Sequence, residues 1–412
     1  MSIETKMAWR NIWRNPRRTI LTICAITFAS VLLVFMLSFQ FGSYETMINT
    51  SVKISTGHLQ VQAAKYHEKK SIRFVIPDPL AVADILDQIP EVAAYSFRGQ
   101  AFALISSKDR TYGVVVTGID PQKEARVSRI RKLVHEGHFL TEDDGSRAVV
   151  GKLLAKNLRV KIGDELALLG QGRDGSIAAT VVQVKGIFSS GIDEFDRSTI
   201  QIPLAFFQQT FSMGNAVHEV VIIAKSLSDV SRIKAKLVTA LSKLNKGTHL
   251  KTFDWQELMP GLRQAIEMDL VSGLIFYALL IIVVAFSILN TFLMAIFERT
   301  REFGVLMAIG TTPRRLTKVL LTESMVMTAV GIMAGILIGI AITYYFQMNG
   351  IDFSGGSDLL SQFGITGRMY PKLSLLSVSI GPIMVLFFTF IAALYPALKV
   401  RRLRPVEAMT AV

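Results

Sequence analysis

The residues most able to do chemistry are the histidines, and His135–Glu136–Gly137–His138 has a composition that could hold zinc. A zinc peptidase needs its two histidines four apart on one helix face, so that both rings reach the metal beside a glutamate base. Here they stand three apart with no third ligand in view, and the stretch reads as a surface turn. The six histidines form no other cluster. Nucleotide chemistry needs a G-x-x-x-x-G-K-[ST] loop whose backbone amides cradle phosphate; the nearest fragment, Gly151–Lys152, continues with Leu153. A serine nucleophile on a G-x-S-x-G elbow is also missing. No catalytic, cofactor-binding or metal-ligating set is legible, and an enzyme reading has nothing to stand on.

The chemistry that remains is that of contact. Leu270 to Phe297 runs without a charge, and ERTREFGVLMAIGTTPRRLTKVLLTE follows before the chain turns apolar again. Within that connector, Phe303, Leu306, Met307 and Ile309 offer an apolar surface flanked by Glu298, Arg299, Arg301 and Glu302, with Gly304 inside and Gly310 as a stop. A short helix of this kind can dock in a groove on a partner, its apolar residues as anchors and its charges setting register. Packing of Phe303 and Leu306 against the ends of the spans is the alternative. Glu323 is the one carboxylate at the mouth of a span. It either links the connector to the third span or pairs locally with Lys318 or Arg315.

These residues are positioned by membrane spans. Crossing a bilayer takes about 20 apolar residues, and four runs qualify: 19–41, 268–297, 319–346 and 373–398. Lys and Arg gather at 1–18, in the connector 298–318 and in the tail 399–412, whereas the loop 347–372 holds Arg368 and Lys372 against Asp352 and Asp358. Positive residues stay on the cytoplasmic side, so both termini and the connector are expected inside and the 42–267 region outside. That placement accounts for most of the net charge of +13, and nucleic-acid binding is a poor reading. Trp9 and Trp13 beside Arg10, Arg14, Arg17 and Arg18 predict a short helix lying on the inner surface, or a simple topology anchor. The first apolar run is too long for a secretory h-region and has no small-x-small site after Phe39, so it is expected to stay as an anchor. Cys24 is the only cysteine, which excludes an intrachain disulfide.

Region 42–267 reads as α+β. A helix is predicted over Pro79–Ile89 and strands over Ala93–Ser106 and Val217–Ala224. A helix capped by Ser228, with Val230, Ile233, Leu237, Leu241 and Leu244 on one face, precedes an extended His249–Phe253. Between them, about 111–215 is rich in short strands and glycine turns, a β-rich insertion. In the third span Gly331, Gly335 and Gly339 share one helix face, as close helix packing in lipid requires. Gly381–Pro382 predicts a kink or irregular turn in the fourth.

The segments AWRNIWRNPRRTILT, ERTREFGVLMAIGTTPRRL and YPALKVRRLRPVEAM resemble the FtsX-like, MacB-type permeases, the type VII or mechanotransmission ABC transporters. TGHLQVQAAKY, EGHFL, VVGKLLAKNLRVKIGDELALL and VKGIFSSGIDEFDRSTIQIPLAFFQQ are similar to the lipoprotein-releasing LolC and LolE within that family. LLGQGRDGSIAA stands where LolC carries a hook hairpin for its periplasmic chaperone, and it is a shorter glycine turn without the apolar extension. The resemblance implies four membrane helices and a large periplasmic domain in a bacterial inner membrane. Two permease subunits, identical or different, would sit on a cytosolic ABC ATPase dimer that holds Mg-ATP, with Glu298–Thr312 as the coupling helix. It further implies contact with membrane lipid and with a periplasmic chaperone or lipoprotein. ATP-driven motion would extract or release a lipoprotein or another amphiphile. Its acyl chains would enter a cleft at the outer ends of the first two spans, here Phe35, Met36, Phe39, Met268 and Leu270. Tripartite efflux of peptides or drugs, and signalling to a cell-wall hydrolase, are the family's other activities.

Overall fold

The computed structural model describes residues 10–244, 249–352 and 368–400. Trp9, Asp358 and the basic residues Arg401, Arg402 and Arg404 lie outside them. The chain divides into two compact units, one built from residues up to Tyr44, Ala265–Asp352 and Arg368 onward, the other chiefly from Glu45–Gln264.

Among the described residues four helices are long and apolar enough to cross a membrane, and the first unit holds most of each: Pro16–Val52, Pro260–Glu298, Pro313–Asn349 and Leu375–Val400. They overrun the apolar stretches that announce them. The first continues well past Phe41 and the third starts at Pro313, because helix ends follow capping and proline, not hydropathy. At 1.5 Å per residue, 37 residues span about 55 Å, against a hydrocarbon core of about 30 Å. The helices therefore outreach the lipid. Ile26, Leu33, Ile281, Ile288, Met327 and Val385 form their shared core. The fourth helix runs through Gly381 and Pro382 without the irregular turn expected there.

Gly331, Gly335 and Gly339 are all buried against the first helix. A Cβ on them would stand 2.8 Å from Ile26 Cβ, 2.4 Å from Ser30 Cβ and 3.1 Å from Val34 Cβ. Two four-residue ridges thus meet face to face, and Thr27 Oγ1 donates to the Gly331 carbonyl at 3.1 Å.

The second unit is a mixed α+β domain. Its strands are β1 (Leu59–Ala63), β2 (Val92–Ser106), β3 (Thr111–Ile119), β4 (Val134–Gly137), β5 (Arg147–Gly151), β6 (Glu165–Gln171), β7 (Ile177–Phe188), β8 (Thr199–Pro203), β9 (Glu219–Ala224) and β10 (Leu250–Asp254). β10, β1, β9 and the first half of β2 make an antiparallel sheet. The helices Pro79–Asp87 and Val230–Leu244 bury Val82 and Leu86, and Ile233 and Leu237. Ser226, not Ser228, accepts the capping bond, from the amide of Ser228, and a 3-10 turn precedes the helix.

The insertion is a closed barrel. β2 pairs β3, then β8, β5, β7 and β6 follow in order, and β6 returns to β2. It begins one strand earlier than expected, since the second half of β2 is one of its staves. Alternate residues such as Ala103, Ile105, Val116, Val150, Leu166, Val182 and Ile200 point inward and are buried. Phe207 and Phe211, with ring centroids 4.7 Å apart, help to fill the core. Gly99 and Gly118 face each other across β2 and β3. A Cβ on either would fall within 2.4 Å of Phe207, so only glycine fits beneath that ring. The segment LLGQGRDGSIAA is the β6–β7 hairpin, closed by a short turn in which the Gly172 amide donates to the Ser176 carbonyl at 2.8 Å.

Candidate functional site

The connector forms a helix over Thr300–Ala308. Gly310 ends it with φ +102°, a conformation costly for other residues, and the Thr311 amide donates to the Leu306 carbonyl at 2.9 Å. Pro313 then opens the third long helix.

This short helix has two unlike faces. Phe303, Gly304 and Met307 turn inward. Phe303 and Met307 pack with Ile296, Leu316, Leu320 and Val400, with Leu306 half-buried beside them. Arg301, Val305, Ile309 and Gly310 are exposed, Ile309 at 79% and Val305 at 46%. The expectation that Phe303 and Met307 anchor a partner is thereby corrected, because burial leaves them no surface to offer. Val305, which the pattern had not singled out, is exposed on the same face as Ile309. Both faces are apolar, so periodicity could not say which one turns in.

Ion pairs bind the connector to its neighbours. Arg14 makes two bonds to Glu302, at 2.8 and 2.6 Å, and Arg18 reaches Glu298 at 3.2 Å. Arg299 contacts Glu302 and Glu323, each at 3.4 Å, and its guanidinium lies over the Phe303 ring. The Arg14 guanidinium holds the Glu302 carboxyl below the usual carboxylate range. Glu323 thus links the third helix to the connector, and its partner is Arg299, not Lys318 or Arg315. Arg299 and Glu302 serve as struts. The pairing partners Arg14 and Arg18 belong to the N-terminal segment, 280 residues and more away in sequence, which is why spacing gave no sign of them.

Of the five residues expected to line an outer cleft, Phe35, Phe39 and Met36 lie on the first long helix and Met268 and Leu270 on the second. Phe35 stacks with Phe39 at 6.3 Å and meets Phe346 of the third helix edge-on at 5.7 Å. Met36, Met268 and Leu270 are exposed, each at 41% or more. What joins the first and second helices there is polar. Tyr44 Oη donates to Asp269 Oδ2 at 2.5 Å, Gln40 Nε2 to the same oxygen at 3.1 Å, and Tyr277 Oη to Gln40 Oε1 at 2.8 Å. Gly273 leaves room for Gln40, whose Nε2 would lie 2.7 Å from a Cβ. His135 and His138 are exposed, at and beside the edge strand β4. Among the described residues no three potential ligands cluster as a metal site would require.

Residues 274–405 match the family described as FtsX-like permease C-terminal, and residues 19–240, over half of the chain, match the MacB-like periplasmic core domain. The lipoprotein-releasing system transmembrane protein LolC of Xylella fastidiosa is 23% identical over 330 residues, 78% of each chain. LolE of Haemophilus influenzae is 25% identical over 79% of each. The pyoverdine export ATP-binding/permease protein PvdT of Pseudomonas syringae pv. tomato is 25% identical over 98% of this chain and 58% of its own length. A solved structure of the periplasmic region of MacB from Actinobacillus actinomycetemcomitans aligns with 54% of this chain and 98% of its own, with 14% identity and a TM-score of 0.38. Four membrane helices flanking a MacB-like domain, with an FtsX-like C-terminal part, mean that the chain belongs to the FtsX-like, MacB-type family of ABC transporter permeases.

Proposed function

We propose that this chain is the membrane subunit through which a separate cytosolic ATPase, binding Mg-ATP, drives extraction or release of a lipoprotein or similar amphiphile from the inner membrane. The observation that carries this reading is the two-faced connector helix. One face is fixed to the membrane unit by Phe303, Met307 and the arginine–carboxylate pairs, and the other presents Arg301, Val305 and Ile309. A force applied to the exposed face is delivered to the first and third long helices together. The similarity to LolC and LolE favours a lipoprotein as cargo. Export of a small secreted molecule is the second reading, favoured by the similarity to PvdT over nearly the whole chain.

The test is retention of the ATPase. Ile309→Asp or Val305→Asp is expected to lower the amount copurifying by tenfold or more, since losing an interface anchor costs roughly 1–4 kcal/mol. Membrane insertion should be unchanged. An ATPase that stays bound, with hydrolysis still stimulated, would remove the connector from the coupling path. Lipid-anchored proteins retained on the complex, against none when the anchor is absent, would separate the two cargo readings.

A further inference from the structure

We propose that the cavity bounded by the N-terminal segment, the connector helix and the start of the third long helix binds an anionic phospholipid. The cavity holds about 640 Å³, and its walls are amphipathic. Leu306, Leu316 and Val319 supply apolar lining, and Arg14, Arg299, Arg315 and Glu302 supply charged lining. Three guanidiniums against Glu302 and the Glu323 that also holds Arg299 leave one positive charge in excess.

The disposition of those charges names the ligand class. Arg14 and Arg299 are already engaged by Glu302 and Glu323. Arg315 is exposed and, among the described residues, makes no ion pair and no side-chain hydrogen bond. A planar guanidinium with its fork unused matches a phosphodiester, which it can bind through two parallel bonds. The cavity also stands at the right depth. Pro313 begins the third helix just before its apolar span, and Trp13, 56% exposed, sits next to Arg14. An indole of this kind settles at the headgroup level of a bilayer. A phospholipid there would lay its phosphate on Arg315 and the upper part of an acyl chain along Leu306 and Val319. Charge selects among lipids. A zwitterionic headgroup brings an ammonium into a site already positive, whereas an anionic headgroup does not. Free inorganic phosphate shares the phosphate chemistry but leaves the apolar wall in water.

The occupant is part of the membrane, so the site needs neither the ATPase nor a transported cargo. It can be tested on the full chain alone, in mild detergent, by native mass spectrometry with equal amounts of phosphatidylglycerol and phosphatidylcholine. The wild type is expected to keep a phosphatidylglycerol adduct in about tenfold preference. Arg315→Gln should lose that preference by about tenfold, and the neighbouring exposed Arg314→Gln, off the cavity, should keep it. Millimolar inorganic phosphate should not displace the adduct. Arg315→Lys, which keeps the charge but not the fork, should fall between, and it carries the test if Arg315→Gln does not fold. Equal retention of both lipids, an adduct indifferent to Arg315→Gln and Arg315→Lys, or displacement by phosphate would each overturn the proposal. So would an Arg315→Gln chain that keeps its lipid but loses the ATPase, which would make the cavity a protein-docking site.

Discussion

Two buried histidines in the second unit show how single hydrogen bonds fix a protonation state. His58 Nδ1 accepts the Ala224 amide at 3.1 Å while Nε2 faces Asn49 Oδ1 at 2.9 Å. His218 Nδ1 accepts the Gln100 amide at 2.9 Å while Nε2 faces the Ile72 carbonyl at 3.1 Å. Each ring is thus neutral with its proton on Nε2, since a proton on Nδ1 would point at an N–H. Burial pushes both down to about 4. The unfolded chain takes up these protons near pH 6.5 and the folded one only near 4, so stability is present above about 6.5 and is lost as pH falls toward 4. Each histidine contributes about 3 kcal/mol across that window. Glu219, held above the carboxylate range by burial, acts in the opposite sense, so the measurement is a difference. Denaturant unfolding of wild type against His58→Gln or His218→Gln, at pH 7, 6, 5 and 4.5, should show a slope shallower by about one proton in each variant. None of this was legible beforehand, because the amides that fix these rings come from residues more than 100 positions away.

At the scale of elements, the apolar runs announced all four long helices, and the glycine spacing marked the face that meets the first. Composition identifies a close-packed face but not its partner, which the ridge of Ile26, Ser30 and Val34 supplies. The distances rank the consequences of adding a methyl. Gly335→Ala drives a Cβ to 2.4 Å from Ser30 Cβ and 2.9 Å from the Thr27 carbonyl oxygen, and neither atom can swing away. We expect a loss of about 1–3 kcal/mol, read as an earlier thermal unfolding of the purified chain. Gly339→Ala reaches only 3.1 Å from Val34. There a gain of up to about 1 kcal/mol in helix propensity offsets the crowding, and the melting temperature should hardly move. The connector was harder to read. Nine residues with apolar groups on both sides leave its buried face to the surroundings, and the polar set Gln40, Tyr44, Asp269 and Tyr277 joins positions that no local pattern connects.

For the whole molecule, division into a membrane part and a hydrophilic domain followed from hydropathy alone. Closure of the barrel did not, because four of its six pairings join strands that no tight hairpin links. The second unit has its own core and contains no cysteine, so residues 45–265 made without the spans should be soluble and unfold cooperatively, with a midpoint indifferent to reductant. An aggregated or non-cooperative fragment would show that the domain depends on the helices. Sidedness is checked in a Cys24→Ala background. Asp174→Cys should react with an impermeant maleimide in spheroplasts, and Thr311→Cys should resist it until the cells are opened.

A barrel that closes on itself locks its register, since sliding one stave would disturb every other. Its tips are under no such constraint. The turn between β6 and β7 spans only Gly172 to Ser176, and each doubling of a flexible loop costs only about 0.6 kcal/mol. Extensions can therefore be grafted at that tip and exchanged between relatives while the staves stay as they are. Such a scaffold can change length and chemistry at one hairpin tip while the pairing of its staves stays as it is.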